Sequence, residues 1–104
     1  MVEAMLDVDT DPLPVLTLRA ETWELHIRAP LADFSRLSGI RDADWDERRS
    51  LRIGVCAGAP VFWAMADDQA VLLIGQDDET WDIALTIPLT TADEIATLAQ
   101  HPPT

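Results

Sequence analysis

Large apolar residues alternate one for one with polar or small ones in two places along this chain. Trp23, Leu25 and Ile27 interleave with Glu24, His26 and Arg28; Trp81, Ile83, Leu85 and Ile87 interleave with Asp82, Ala84 and Thr86. A period of two sends one set toward a core and the other toward water, which predicts a strand in each place. A short polar turn near Ala20 and Glu21 joins residues 15–19 to 23–28 as a hairpin. Apolar runs over 50–56, 60–66 and 70–75 predict three more strands, broken by "AGA" and "DDQ", and "QDDE" turns the chain into the last strand. Parallel pairing needs long crossovers, so these short connections imply an antiparallel meander.

Helical spacing appears twice. Leu31, Phe34 and Leu37 follow Pro30 and stop at Gly39. Ile95, Leu98 and Ala99 follow Thr91 and Glu94, which are spaced as a capping box. The stretch "DADWDERRS" around Trp45 reads as a charged loop or helical turn. The predicted fold is α+β: an antiparallel sheet of about six strands, mostly meander, with two or three short helices packed on one face. Residues 1–13 are acidic and contain Pro12, so they are expected to form a flexible leader to a single globular domain over 14–104.

Charge changes this picture more than composition does. The chain of 104 residues has a net charge of −12, and all seven of its bases are Arg. Residues 12–52 balance acid against base, whereas residues 53–104 carry eight acids and neither Lys nor Arg. Such a surface repels nucleic acid and anionic membrane and attracts basic proteins. The abundance of Ala, Asp and Arg without Lys or Asn suggests a GC-rich, bacterial coding genome. The single cysteine, Cys56, forms no internal disulfide, and the N-terminus lacks a basic and apolar signal pattern, so a cytoplasmic protein is expected. The longest uncharged run, residues 53–66, is too short to span a bilayer.

Catalytic and metal-binding patterns are weak. "DVDTDP" starts like a calcium loop, but Pro12 stands where a turn-making Gly belongs and Leu18 where a bidentate Glu belongs. One Cys and two His do not make a zinc set. Cys56 lies in an apolar strand, and His26, the candidate base for it, alternates with Glu24 and Arg28 on a solvated face. Neither an enzymatic role nor a cofactor or metal is expected. The remaining candidates are acidic and aromatic. Asp77, Asp78, Glu79 and Asp82 are expected to form a partner-facing edge held in place by a buried Trp81. Asp67 and Asp68 form a second cluster, at the other end of the strand between them, and Trp45 is a further contact candidate. Turn chemistry alone also accounts for the paired Asp residues.

The acidic run "GQDDETWD", the strand "APVFW" and the closing "IPLTTADEIATLA" together resemble the immunity proteins of bacterial toxin–immunity pairs. The resemblance is one of type, spread over the whole chain. It implies a non-catalytic protein that binds and blocks a basic toxin domain, with no specific site carried over. The alternatives are a nucleic-acid-mimicking inhibitor, a small subunit or chaperone of a larger complex, and an enzyme whose chemistry the sequence does not display.

Overall fold

The computed structural model of the chain describes residues 2–10 and 13–101. Its strands are β1 (Glu3–Asp7), β2 (Val15–Arg19), β3 (Glu24–Arg28), β4 (Leu51–Cys56), β5 (Ala59–Ala66), β6 (Gln69–Gly75) and β7 (Trp81–Pro88). They form one antiparallel sheet in the order β1-β2-β3-β4-β5-β6-β7, a pure meander. Helix α1 (Leu31–Ser35), a 3-10 turn (Arg36–Asp42) and a second 3-10 turn (Trp45–Glu47) lie between β3 and β4, and helix α2 (Leu89–Gln100) follows β7.

The sheet thus has seven strands rather than about six. The extra one, β1, arises inside the segment expected to be a flexible leader. Its alternation is short: Leu6 is buried and Ala4 packs against the core, while Glu3 and Asp7 stay exposed. Two apolar positions suffice because β2 offers a full register, from Glu3 opposite Arg19 to Asp7 opposite Val15. The leader's Asp11 and Pro12 lie outside the described residues, as do Met1 and residues 102–104.

The core lies on one face of the sheet. Leu16, Leu18, Ile27, Ile53, Val61, Trp63, Leu72 and Ile87 meet Phe34, Leu37 and Ile40 from the first helical segment and Ala92, Ile95 and Ala96 from α2. Trp63 is fully buried, and its indole Nε1–H donates to the Ile53 carbonyl at 3.0 Å, which meets the needs of its one polar atom. Helix α2 touches β1 as well as β6 and β7, so the sheet curls and α2 spans its opening. The expected capping box is absent: α2 begins at Leu89 behind Pro88, no side chain caps it, and Thr91 is buried inside the helix. Proline fixes the entry, and its extended backbone at φ −60° and ψ 146° makes the corner from β7 into the helix.

Two glycines carry the sheet through tight places. Gly54 in β4 has φ +83°, and a Cβ there would lie 2.5 Å from the Ile27 side chain and 2.9 Å from the Arg28 carbonyl. It lies within the register shift of β4 against β5, between Arg52 and Val55, and on its other side β4 pairs with β3 at Arg28 and Val55 alone. Gly75 ends β6 at a second bulge, where a Cβ would run into the Trp81 backbone.

Candidate partner-binding surface

The two acidic turns sit at opposite ends of β6, separated by roughly 20 Å of strand. Asp67 and Asp68 form the two-residue β5–β6 turn with φ of 52° and 61°. A two-residue hairpin that follows the sheet's twist needs left-handed backbone at both positions, and Asp tolerates it better than most residues. Backbone geometry thus accounts for both aspartates, and their carboxylates remain exposed.

The β6–β7 turn assigns its three acids different jobs. Asp77 Oδ1 accepts the backbone N–H groups of Glu79 at 2.9 Å and Thr80 at 2.6 Å, while the Gln76 and Asp77 N–H groups donate to the Thr80 carbonyl at 2.9 and 3.3 Å. Those N–H groups, Glu79 first and then Thr80, hold the Asp77 carboxyl below the ordinary carboxylate range. Asp78 is half-buried and accepts the Ser50 hydroxyl at 2.9 Å. It belongs to a cleft of about 410 Å³ lined also by Asp42, Arg48, Arg49 and Leu51, so it faces the segment before β4. Of the four acids in and beside this turn, Glu79 and Asp82 are the two that are exposed and whose carboxylates have no such partner among the described residues.

Trp81 corrects the expectation of a buried support. It is 43% exposed, and Ile83 beside it is 46% exposed. The apolar row of β7 becomes covered only further along, at half-buried Leu85 and buried Ile87, where the chain approaches α2. The turn is held instead by Asp77, by Gly75 and by the Ser50–Asp78 hydrogen bond. Ile83 was not among the residues singled out from the sequence, because alternation placed it in the core. The last strand of a meander followed by a helix has a neighbour on one side only, and that was the available signal. Trp45 is half-buried in its 3-10 turn, and Arg48, which takes left-handed backbone at φ 58°, sets its guanidinium 5.2 Å from the ring centre.

Cys56 and the His26 ring do not form a pair. The His26 ring nitrogens face Glu24 Oε2 at 2.8 Å and Thr17 Oγ1 at 3.5 Å, and Glu24 also takes Arg19 at 2.7 Å. The Cys56 thiol meets the backbone N–H of His26 instead, and burial pushes its pKa up in spite of that contact. Among the described residues no group of three or more His, Cys, Asp or Glu is placed to hold a metal ion, and no helix is long and apolar enough to cross a membrane.

Comparison with known protein families, curated proteins and solved structures finds no match to this chain.

Proposed function

We propose that this chain is a non-catalytic binding protein that docks a basic partner domain through its base-free half, and that the partner is a bacterial toxin domain neutralised in the cytoplasm. The observation that supports this most is the surface of β7. Exposed Trp81 and Ile83 lie beside exposed Glu79 and Asp82, in a part of the chain with no Lys or Arg from residue 53 onward. An apolar anchor with a charged rim is the common anatomy of a protein interface. Long-range attraction from the net charge of −12 would speed the encounter, and the apolar pair would hold the complex. A nucleic-acid mimic needs its carboxylates in rows. The two aspartate clusters here lie at opposite ends of β6, which favours the protein-docking reading.

The test is capture from the native host, followed by kinetics with the purified partner. A basic protein is expected. Its association rate should fall several-fold as salt rises from low to physiological strength, where screening shortens electrostatic reach to about 8 Å. An acidic partner, or an association rate indifferent to salt, would remove the basis for the proposal.

A further inference from the structure

We propose that the free edge of β7 is a strand-addition site that takes an extended, basic segment of the partner polypeptide. This rests on the docking function proposed above and specifies how the contact is made. β7 is eight residues long, is the last strand of the sheet, and among the described residues pairs with β6 alone. Its outer edge therefore presents backbone N–H and C=O groups on alternate residues, the template on which added strands form. Proteins usually blunt such edges by keeping them short or by covering them. Here the first four residues, Trp81 to Ala84, are all exposed, and two of them are large and apolar. An added strand would bring its own side chains alongside Trp81 and Ile83 on one face and Asp82 on the other.

Charge selects the occupant. Glu79 and Asp82 flank the exposed part of the edge, and no Lys or Arg follows in the chain after Arg52. A second copy would carry another −12 and a β7 equally devoid of bases, so pairing β7 with β7 would bring no base to Glu79 or Asp82 from the added strand. A segment alternating basic and apolar residues meets both the carboxylates and the apolar pair. The opposite edge, β1, is a poorer template. It is five residues long, its Glu3 already faces Arg19 across the β1–β2 pair, and Met5 is its one large exposed apolar residue.

The test uses the full chain and a synthetic peptide of about ten residues alternating arginine with valine, long enough to cover the edge. Its controls are the glutamate–valine counterpart and an arginine–valine peptide interrupted by proline, which cannot donate along a strand. Backbone amide exchange is followed residue by residue. The arginine–valine peptide is expected to slow exchange over residues 81–86 by about tenfold or more at saturation, and both controls are expected to leave it unchanged. Asp82→Lys should weaken the basic peptide several-fold without altering the fold. Equal protection by the glutamate peptide would overturn the choice of a basic occupant, and a dimer in sedimentation that buries β7 would overturn the choice of a foreign one. If the arginine peptide perturbs the acidic side chains but protects no β7 amide, strand addition is overturned while charge-directed docking stands. If it does neither, both proposals fall.

Discussion

Two strands of this chain are entered through nearly the same residues, Glu21-Thr22-Trp23-Glu24 into β3 and Glu79-Thr80-Trp81-Asp82 into β7, and meet opposite fates. Trp23 packs against the core, whereas Trp81 is 43% exposed. Glu24 takes Arg19 at 2.7 Å and His26 at 2.8 Å, whereas Asp82 has no ion-pair partner among the described residues. The difference is positional. β3 lies between β2 and β4, and the register with β2 sets Arg19 directly opposite Glu24. β7 is an edge and starts at a bulge, beyond the part of the sheet that the helices cover. The same local pattern is closed off inside the sheet and left open at its border, and the open copy is the one to which docking is assigned.

The most severe way to break this comparison is to push β3 and β4 apart. Gly54→Ala adds a methyl group against Ile27 and the Arg28 carbonyl, at a backbone angle that alanine resists. Left-handed strain and overpacking together should cost about 3 kcal/mol. Urea unfolding is expected to show that loss, with exchange protection falling first in β3. A cost below about 1 kcal/mol would mean that the two strands separate easily and that β3 is not the fixed counterpart assumed here.

Replacing each tryptophan in turn is gentler and more direct. Trp23→Ala should destabilise by about 2–3 kcal/mol, because it removes a mostly covered side chain from the core margin. Trp81→Ala should cost about 1 kcal/mol, since much of that side chain already faces water. Partner affinity should reverse the order, falling steeply for Trp81→Ala and little for Trp23→Ala. Thermal unfolding and binding measured on the same two variants decide it, and equal effects in both would erase the distinction between the strands.

Most of the sheet was legible from periodicity because the meander leaves the chain few choices. Each short turn fixes the next partner, and β4 to β7 fall within a residue or two of the apolar runs that define them. β1 was obscured because its three apolar residues, Ala4, Met5 and Leu6, are consecutive rather than alternating and sit between acids, and its stability comes from register with β2 rather than from its own pattern. The same limit applies at the candidate surface. Spacing identified the acids of the β6–β7 turn but not their separate tasks, because Asp77 answers to backbone N–H groups and Asp78 to Ser50, 28 positions earlier in the chain. Alternation placed Trp81 and Ile83 on the core side of β7, but how far the helices extend over that side is a property of the whole fold.

Acid separates the two regions by the cause of their lowered carboxyl pKa values. Glu24 is lowered first by Arg19 and then by His26, Asp77 by the backbone N–H groups of Glu79 and Thr80. A carboxyl whose folded pKa lies below its unfolded value lends stability that is fully present above the unfolded pKa, near 4, and is lost as pH falls through the folded one. Both groups should therefore make the protein less stable below about pH 4. Glu24→Gln and Asp77→Asn should each flatten that limb of the stability curve. Concentrated salt should shrink the Glu24 contribution by screening Arg19, and should affect Asp77 less, because its partners are amides held in the turn. Matched pH titrations of stability at low and high salt test this, and an equal salt response would mean that the two carboxyls are held by the same kind of force.

The smallest effect on folding should come from the acids that the fold does not use. Asp77→Asn keeps an acceptor oxygen for the Glu79 and Thr80 N–H groups, and Asp78→Asn keeps one for Ser50, yet both alter contacts within the turn. Glu79→Gln and Asp82→Asn alter none that the structure shows, and the pair together should move stability by no more than about 0.5 kcal/mol. Any gain would come from relieved repulsion among neighbouring carboxylates. Partner binding should respond differently. If Glu79 and Asp82 meet bases across a contact that excludes water, losing both should weaken affinity by about 1 kcal/mol or more, about fivefold or more, and lower the salt dependence of association. If they only keep an exposed edge soluble, affinity and salt dependence stay where they were and self-association rises instead. Measuring stability, affinity and sedimentation on that one double variant separates a docking surface from a protected border.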